Sequence, residues 1–109
     1  MNLQEYQEEA KKTAIYPDKF SILYPALGLA GEVGEFCNKL KKVLRDFEGN
    51  FDTSGFMDSS IDELGDIFWY LAQLCSDMGI SLDDVAAQNL RKLASRQIRG
   101  TLHGSGDER

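Results

Sequence analysis

Histidine and cysteine are nearly missing from this 109-residue chain, which has one histidine, His103, and two cysteines, Cys37 and Cys75. A lone histidine in a Gly-rich stretch gives little support to a His-based zinc site or a Ser/His/Asp triad. Two cysteines, each inside an apolar helical pattern, are too few for a disulfide scaffold and read as reduced core thiols of a cytosolic protein. No apolar run approaches the ~20 residues that a membrane-spanning helix needs. The stretch Met1–Ala10 is acidic and polar and does not read as a signal peptide. Strand-like alternation and internal repeats are missing as well. Basic side chains are the minority, 12 against 18 acidic, for a formal charge of -6. Such a surface repels a phosphate backbone, which argues against a general nucleic-acid binder. It would repel a nucleotide too, unless the carboxylates hold cations that turn the local field around.

What is present is ordinary globular composition, 42% hydrophobic and 28% charged, in a length that makes one domain. A chain of this size buries about two-thirds of its unfolded surface, so association would add to a modest core. Four helical segments account for nearly all of it. In the first, Leu3, Tyr6, Ala10 and Ala14 recur at helical spacing, Asn2 with Glu5 resembles an N-cap, and Pro17 closes the segment. The second runs from about Ser21 or Ile22 to Phe47, with Pro25 tolerable in its first turn. Glu48–Gly55 reads as a loop. A third helix follows to about Met78 and is apolar on more than one side, as a central or subunit-contact helix would be. Gly79 ends it, Ser81 with Asp84 caps a fourth, and that fourth fades near Arg99. The expected fold is all-α and four-helix bundle-like, a domain over residues 1–99 followed by a flexible tail, 100–109.

Gly28, Gly31 and Gly34 fall within two turns of the second helix, each costing roughly 1 kcal/mol relative to alanine. Close helix packing is the plain explanation, favoured here for Gly31 and Gly34.

The acid is not spread evenly. Glu32 and Glu35 stand at i and i+3 on the second helix, and Glu63 and Asp66 repeat that spacing on the third. At i and i+3 side chains project from one face, and like charges there destabilise a helix. Each pair taken alone reads as solvated acid, and Glu63 also fits a capping box with Ser60. Two such pairs inside apolar sequence on successive long helices favour a metal site. All-oxygen ligands suit Mg²⁺ or Mn²⁺ rather than zinc. A di-iron bundle would need Glu-x-x-His pairs, and an EF-hand would need glycine where Met57 stands. Basic and amide residues form their own stripes: Lys39 one turn beyond Glu35, and Asn89, Lys92, Arg96 and Arg99 on the fourth helix. Metal-loaded carboxylates facing Asn89, Lys92 and Arg96 would suit a polyphosphate. An ordinary solvated face is the alternative, preferred for Arg99.

The strings LQEYQEEA, GLAGEVGEFCNKLKK, DELGDIFWYLAQL and NLRKLASR, with the tail RGTLHGSGDER, together resemble the MazG-like branch of the all-α nucleoside triphosphate pyrophosphohydrolases, compact phage-type members included. The resemblance covers nearly the whole chain. It implies Mg²⁺-dependent hydrolysis of a (deoxy)nucleoside triphosphate to the monophosphate and pyrophosphate, in a bacterial or phage-infected cytoplasm. It assigns Glu32, Glu35, Glu63 and Asp66 as metal ligands, Asn89 and Lys92 as a polar pair near the phosphates, and Lys39 as a phosphate contact. It also implies a homodimer or a dimer of dimers. In the implied mechanism, water activated by metal attacks the α-phosphorus, Glu35 or Glu32 orients or deprotonates it, and Lys39 and Lys92 offset phosphate charge. Tyr6, Gln7 and Tyr16 are candidates to touch the base, with packing as the competing account. Two other readings stand beside this one: a non-enzymatic helical interaction module, and a phosphohydrolase of an alarmone or modified nucleotide.

Overall fold

The computed structural model describes residues 1–109 and contains helices only, without strands. Helix α1 spans Leu3–Lys11, a single 3-10 turn Asp18–Phe20, α2 Leu23–Phe47, α3 Phe51–Ser54, α4 Phe56–Asp77 and α5 Leu82–Ile98. The four long helices stand where the apolar periodicity puts them. Three details differ. The first helix stops at Lys11 rather than running on to Ala14: the Thr13 and Ala14 amides donate to carbonyls three residues back, a tightened turn in which the Thr13 hydroxyl also donates to the Ala10 carbonyl (2.9 Å). The expected loop Glu48–Gly55 contains one helical turn, α3, whose first amides donate to the Asn50 side chain. Helix α4 begins at Phe56, so Ser60 is no N-cap: its buried hydroxyl donates to the Met57 carbonyl, and Glu63 and Asp66 sit in mid-helix.

Local chemistry explains each junction. Asn2 and Glu5 form a reciprocal capping box at the start of α1. Glu48, at φ 53°, and Gly49, at φ 78°, end α2 in the left-handed region. Gly79 (φ 69°) closes the α4–α5 turn, and the Ser81 hydroxyl caps α5 by accepting from the Asp84 amide. Entry into α2 is less relaxed. Ile22 sits at φ 69°, ψ -55°, and the Leu23 amide donates to the Ser21 carbonyl at 2.7 Å. That is the rare γ-turn geometry, strained for a β-branched residue. Asp77, at the end of α4, holds it in place. One carboxylate oxygen accepts from the Ile22 amide (2.9 Å) and from the Tyr16 hydroxyl (2.8 Å).

The largest seam is α2 against α4. Gly28 lets it close, since a Cβ there would lie 2.2 Å from Cε1 of Tyr70. Gly31 and Gly34, by contrast, have no atom within 4 Å of where a Cβ would stand, which corrects the packing role expected for them. Within the chain nothing packs at either of these two positions. Helix α1 lies on α4 and on the start of α5 around a core of Ala10, Ala72, Cys75 and Leu82, with the Tyr6 and Phe68 rings 4.5 Å apart. Gln7 binds the α4–α5 turn, donating to Ser76 Oγ and the Ile80 carbonyl and accepting from the Leu82 amide.

Helix α5 is attached mainly through its first turns. It packs on α1 and α4 but not substantially on α2. The radius of gyration is 17.1 Å, where a compact chain of this length would measure about 13 Å. Leu27 and Leu90 are 66% and 68% exposed. No helix is long and apolar enough to cross a membrane.

Candidate metal and phosphate site

Helical periodicity along α2 and α4 turns both acidic pairs toward one region of their seam. Glu32 shows the result most clearly. Its carboxyl is raised above the ordinary glutamate value, first by burial and then by the negative charges of Asp66, Glu35 and Glu63. The other three sequence-predicted ligands thus lie within electrostatic reach of Glu32, one from its own helix and two from α4. No three of them converge tightly enough within the single chain to form a closed ligand set.

One cation answers this charge. Lys39 Nζ donates to Glu63 Oε2 at 2.6 Å and to the Ser59 carbonyl at 2.5 Å, bridging α2 to α4. That hydrogen bond holds the Glu63 carboxyl below its usual range. Glu32 gains no such relief. Four carboxylates against one lysine leave a local excess of negative charge, and hard oxygen donors with such an excess fit Mg²⁺ or Mn²⁺.

Tyr70 is the residue that sequence reasoning missed. It stands one turn beyond Asp66, over Gly28, and burial raises its phenol, followed by the charges of Tyr24, Glu32 and Asp66. Its i+4 spacing from Asp66 was the available signal. Tyr24 and Trp69 flank it, with ring centroids at 6.5 and 5.0 Å. The base-contact candidates have structural duties. Tyr6 packs on Phe68, Gln7 fixes the α4–α5 turn, and Tyr16 donates to Asp77. Burial and that hydrogen bond push the Tyr16 phenol well up.

The α5 stripe is not brought to the carboxylates within one chain. No hydrogen bond or ion pair joins Asn89, Lys92 or Arg96 to any of the four acids. Asn89 and Lys92, with Val85 and Gln88, line a shallow concavity of about 300 Å³. Arg96 is 4% exposed, and its Nη2 donates to the Gly106 and Asp107 carbonyls at 3.3 and 2.8 Å. Lys92 Nζ lies 3.4 Å from the Asp107 carboxylate, and that charge is the main reason the Asp107 carboxyl is held low.

Comparison with known proteins places these features in a class. Residues 21–99, which contain both acidic pairs, the seam and α5, match the family model described as the MazG nucleotide pyrophosphohydrolase domain. The chain belongs to this family. It is 45% identical over 115 residues to the "Gene 37 protein" of Mycobacterium phage L5, with all of both chains covered. No solved structure matches it.

Proposed function

We propose that this protein hydrolyses (deoxy)nucleoside triphosphates to the monophosphate and pyrophosphate, with Mg²⁺ held by Glu32, Glu35, Glu63 and Asp66. The carrying observation is the acidic cluster on the α2–α4 seam, where Glu32 feels three other carboxylates and a single lysine is the counter-ion. A divalent ion bound there would supply charge neutralisation for the phosphates and acidify a water. The chain's own groups do the rest. The Glu35 carboxylate, exposed and one turn from Glu32, accepts the proton of the attacking water. The water oxygen bonds to the α-phosphorus, the bond from that phosphorus to the bridging oxygen breaks, and pyrophosphate departs with the electron pair. Lys39 already reaches across the seam and offsets charge on the phosphates.

Asn89 and Lys92 complete the site from a second copy. In one chain they lie apart from the acids, and the open shape with bare Leu27 and Leu90 leaves apolar surface for that copy to cover. A dimer, or a dimer of dimers, follows.

The test is a panel of nucleoside triphosphates with Mg²⁺, assayed separately for pyrophosphate and orthophosphate. Pyrophosphate release that drops at least ~100-fold in Glu35→Gln supports the assignment. Orthophosphate in its place sinks attack at the α-phosphorus. No turnover of any nucleotide sinks the triphosphate reading altogether.

A further inference from the structure

The tail, residues 100–109, does more than end the chain. It turns back along α5 and is tied there by Arg96 and by Arg99, whose Nη2 donates to the C-terminal oxygen of Arg109 at 2.7 Å. Arg96, the one charged side chain that the fold buries, donates to the Gly106 and Asp107 carbonyls, and the Thr101 amide donates to the Arg96 carbonyl at 2.9 Å. Arg109 closes the loop internally, its Nε and Nη2 donating to the Thr101 and Leu102 carbonyls at 2.9 and 3.0 Å. The main chain is therefore well fastened. Its acidic tip is not. The Asp107 carboxylate is 89% exposed and rests 3.4 Å from Lys92 Nζ and 3.6 Å from Arg96 Nη2. A buried guanidinium on carbonyls is hard to displace, whereas a long, exposed ion pair contributes little.

We propose that the tail is an autoinhibitory strap, in which Asp107 occupies Lys92 as an internal stand-in for a phosphate oxygen and must be displaced by an incoming polyphosphate. Arg96 then serves as the strap's anchor rather than as a substrate ligand. The strap rests on the reading that Lys92 takes phosphate. Displacement requires only that the Asp107 side chain turn away, since the main chain beneath it stays bound to Arg96. A polyphosphate carries several charges against one carboxylate and wins that exchange.

The experiment is calorimetric titration of the full chain with tripolyphosphate in Mg²⁺, for the wild type, for Asp107→Asn, Glu108→Gln and Lys92→Ala, and for the Lys92→Ala, Asp107→Asn double variant. Glu108 neighbours Asp107 and forms no ion pair, so its variant removes the same charge without freeing Lys92. Asp107→Asn is expected to tighten binding roughly two- to five-fold, the range over which an exposed ion pair competes. Glu108→Gln should leave affinity nearly unchanged, and Lys92→Ala should weaken it and abolish the gain from Asp107→Asn. No tightening in Asp107→Asn, or an equal tightening in Glu108→Gln, overturns the strap while leaving Lys92 as a phosphate ligand. If Lys92→Ala has no effect, or tripolyphosphate does not bind, the phosphate reading falls and the strap with it.

Discussion

Gly28→Ala puts the α2–α4 seam to a quantitative trial. A Cβ at position 28 would lie 2.2, 2.4 and 2.6 Å from Cε1, Cζ and Cδ1 of Tyr70. Carbon atoms rest about 3.5–4.0 Å apart, so the ring or the helix must retreat by more than about 1 Å. Tyr70 has little room to turn, since Trp69 stands edge-on at 5.0 Å and Tyr24 at 6.5 Å. Overpacking of this kind costs about 1–3 kcal/mol. Against it, alanine is better than glycine in a helix interior by about 1 kcal/mol. The net expectation is a loss of about 1 kcal/mol, and a melting temperature lower by roughly 4–8 °C for a chain of this size. On a Tyr70→Ala background the clash disappears and only the helical gain remains, so the same substitution should raise the melting temperature. Thermal unfolding followed by circular dichroism, in EDTA and at one protein concentration, measures both. If Gly28→Ala is neutral or stabilising in the wild type, or has the same effect on both backgrounds, the contact does not set the seam.

Glu32→Gln should stabilise the metal-free protein at neutral pH. Because the folded state raises the Glu32 carboxyl above its ordinary value of 4.5, ionisation costs folding stability as pH rises through that window, and the penalty persists above it. The advantage of the variant should fade below about pH 4, and melting curves across pH that show none at neutrality would contradict the clustering of the four acids. Glu63→Gln should act oppositely, since its carboxyl is held low by Lys39 and contributes stability above its ordinary range. Ile22→Gly relieves a positive φ that costs a branched side chain about 1–3 kcal/mol, against about 0.4–1 kcal/mol for the freer unfolded chain. Chemical denaturation should show a net gain of about 0.5–1 kcal/mol, and a loss would refute the strained γ-turn.

Helix identity was legible because caps and periodicity are local. Asn2–Glu5, Gly79 and Ser81 all act within four residues of themselves, and each behaves as its spacing indicates. The acidic pairs were legible for the same reason, since i and i+3 share a face on any helix. What escaped depends on partners far along the chain. Asp77 closes a turn 55 residues away at Ile22, and Tyr70 selects Gly28 rather than Gly31 as the close-packed glycine. Neither pairing leaves a mark in nearby sequence. The α5 stripe shows the same limit from another side: Asn89, Lys92 and Arg96 do share a line, yet spacing on one helix says nothing about which other helix it meets.

The open outline has a consequence for how output scales with supply. In the assembly we propose, each chain lends its α5 to another, so a solitary copy holds acids without their phosphate-binding counterpart. Below the dissociation constant of the pair, turnover would rise with the square of the amount made, and above it only in proportion. Activity per copy would therefore be low for the first copies made and would climb smoothly with their number until pairing saturates.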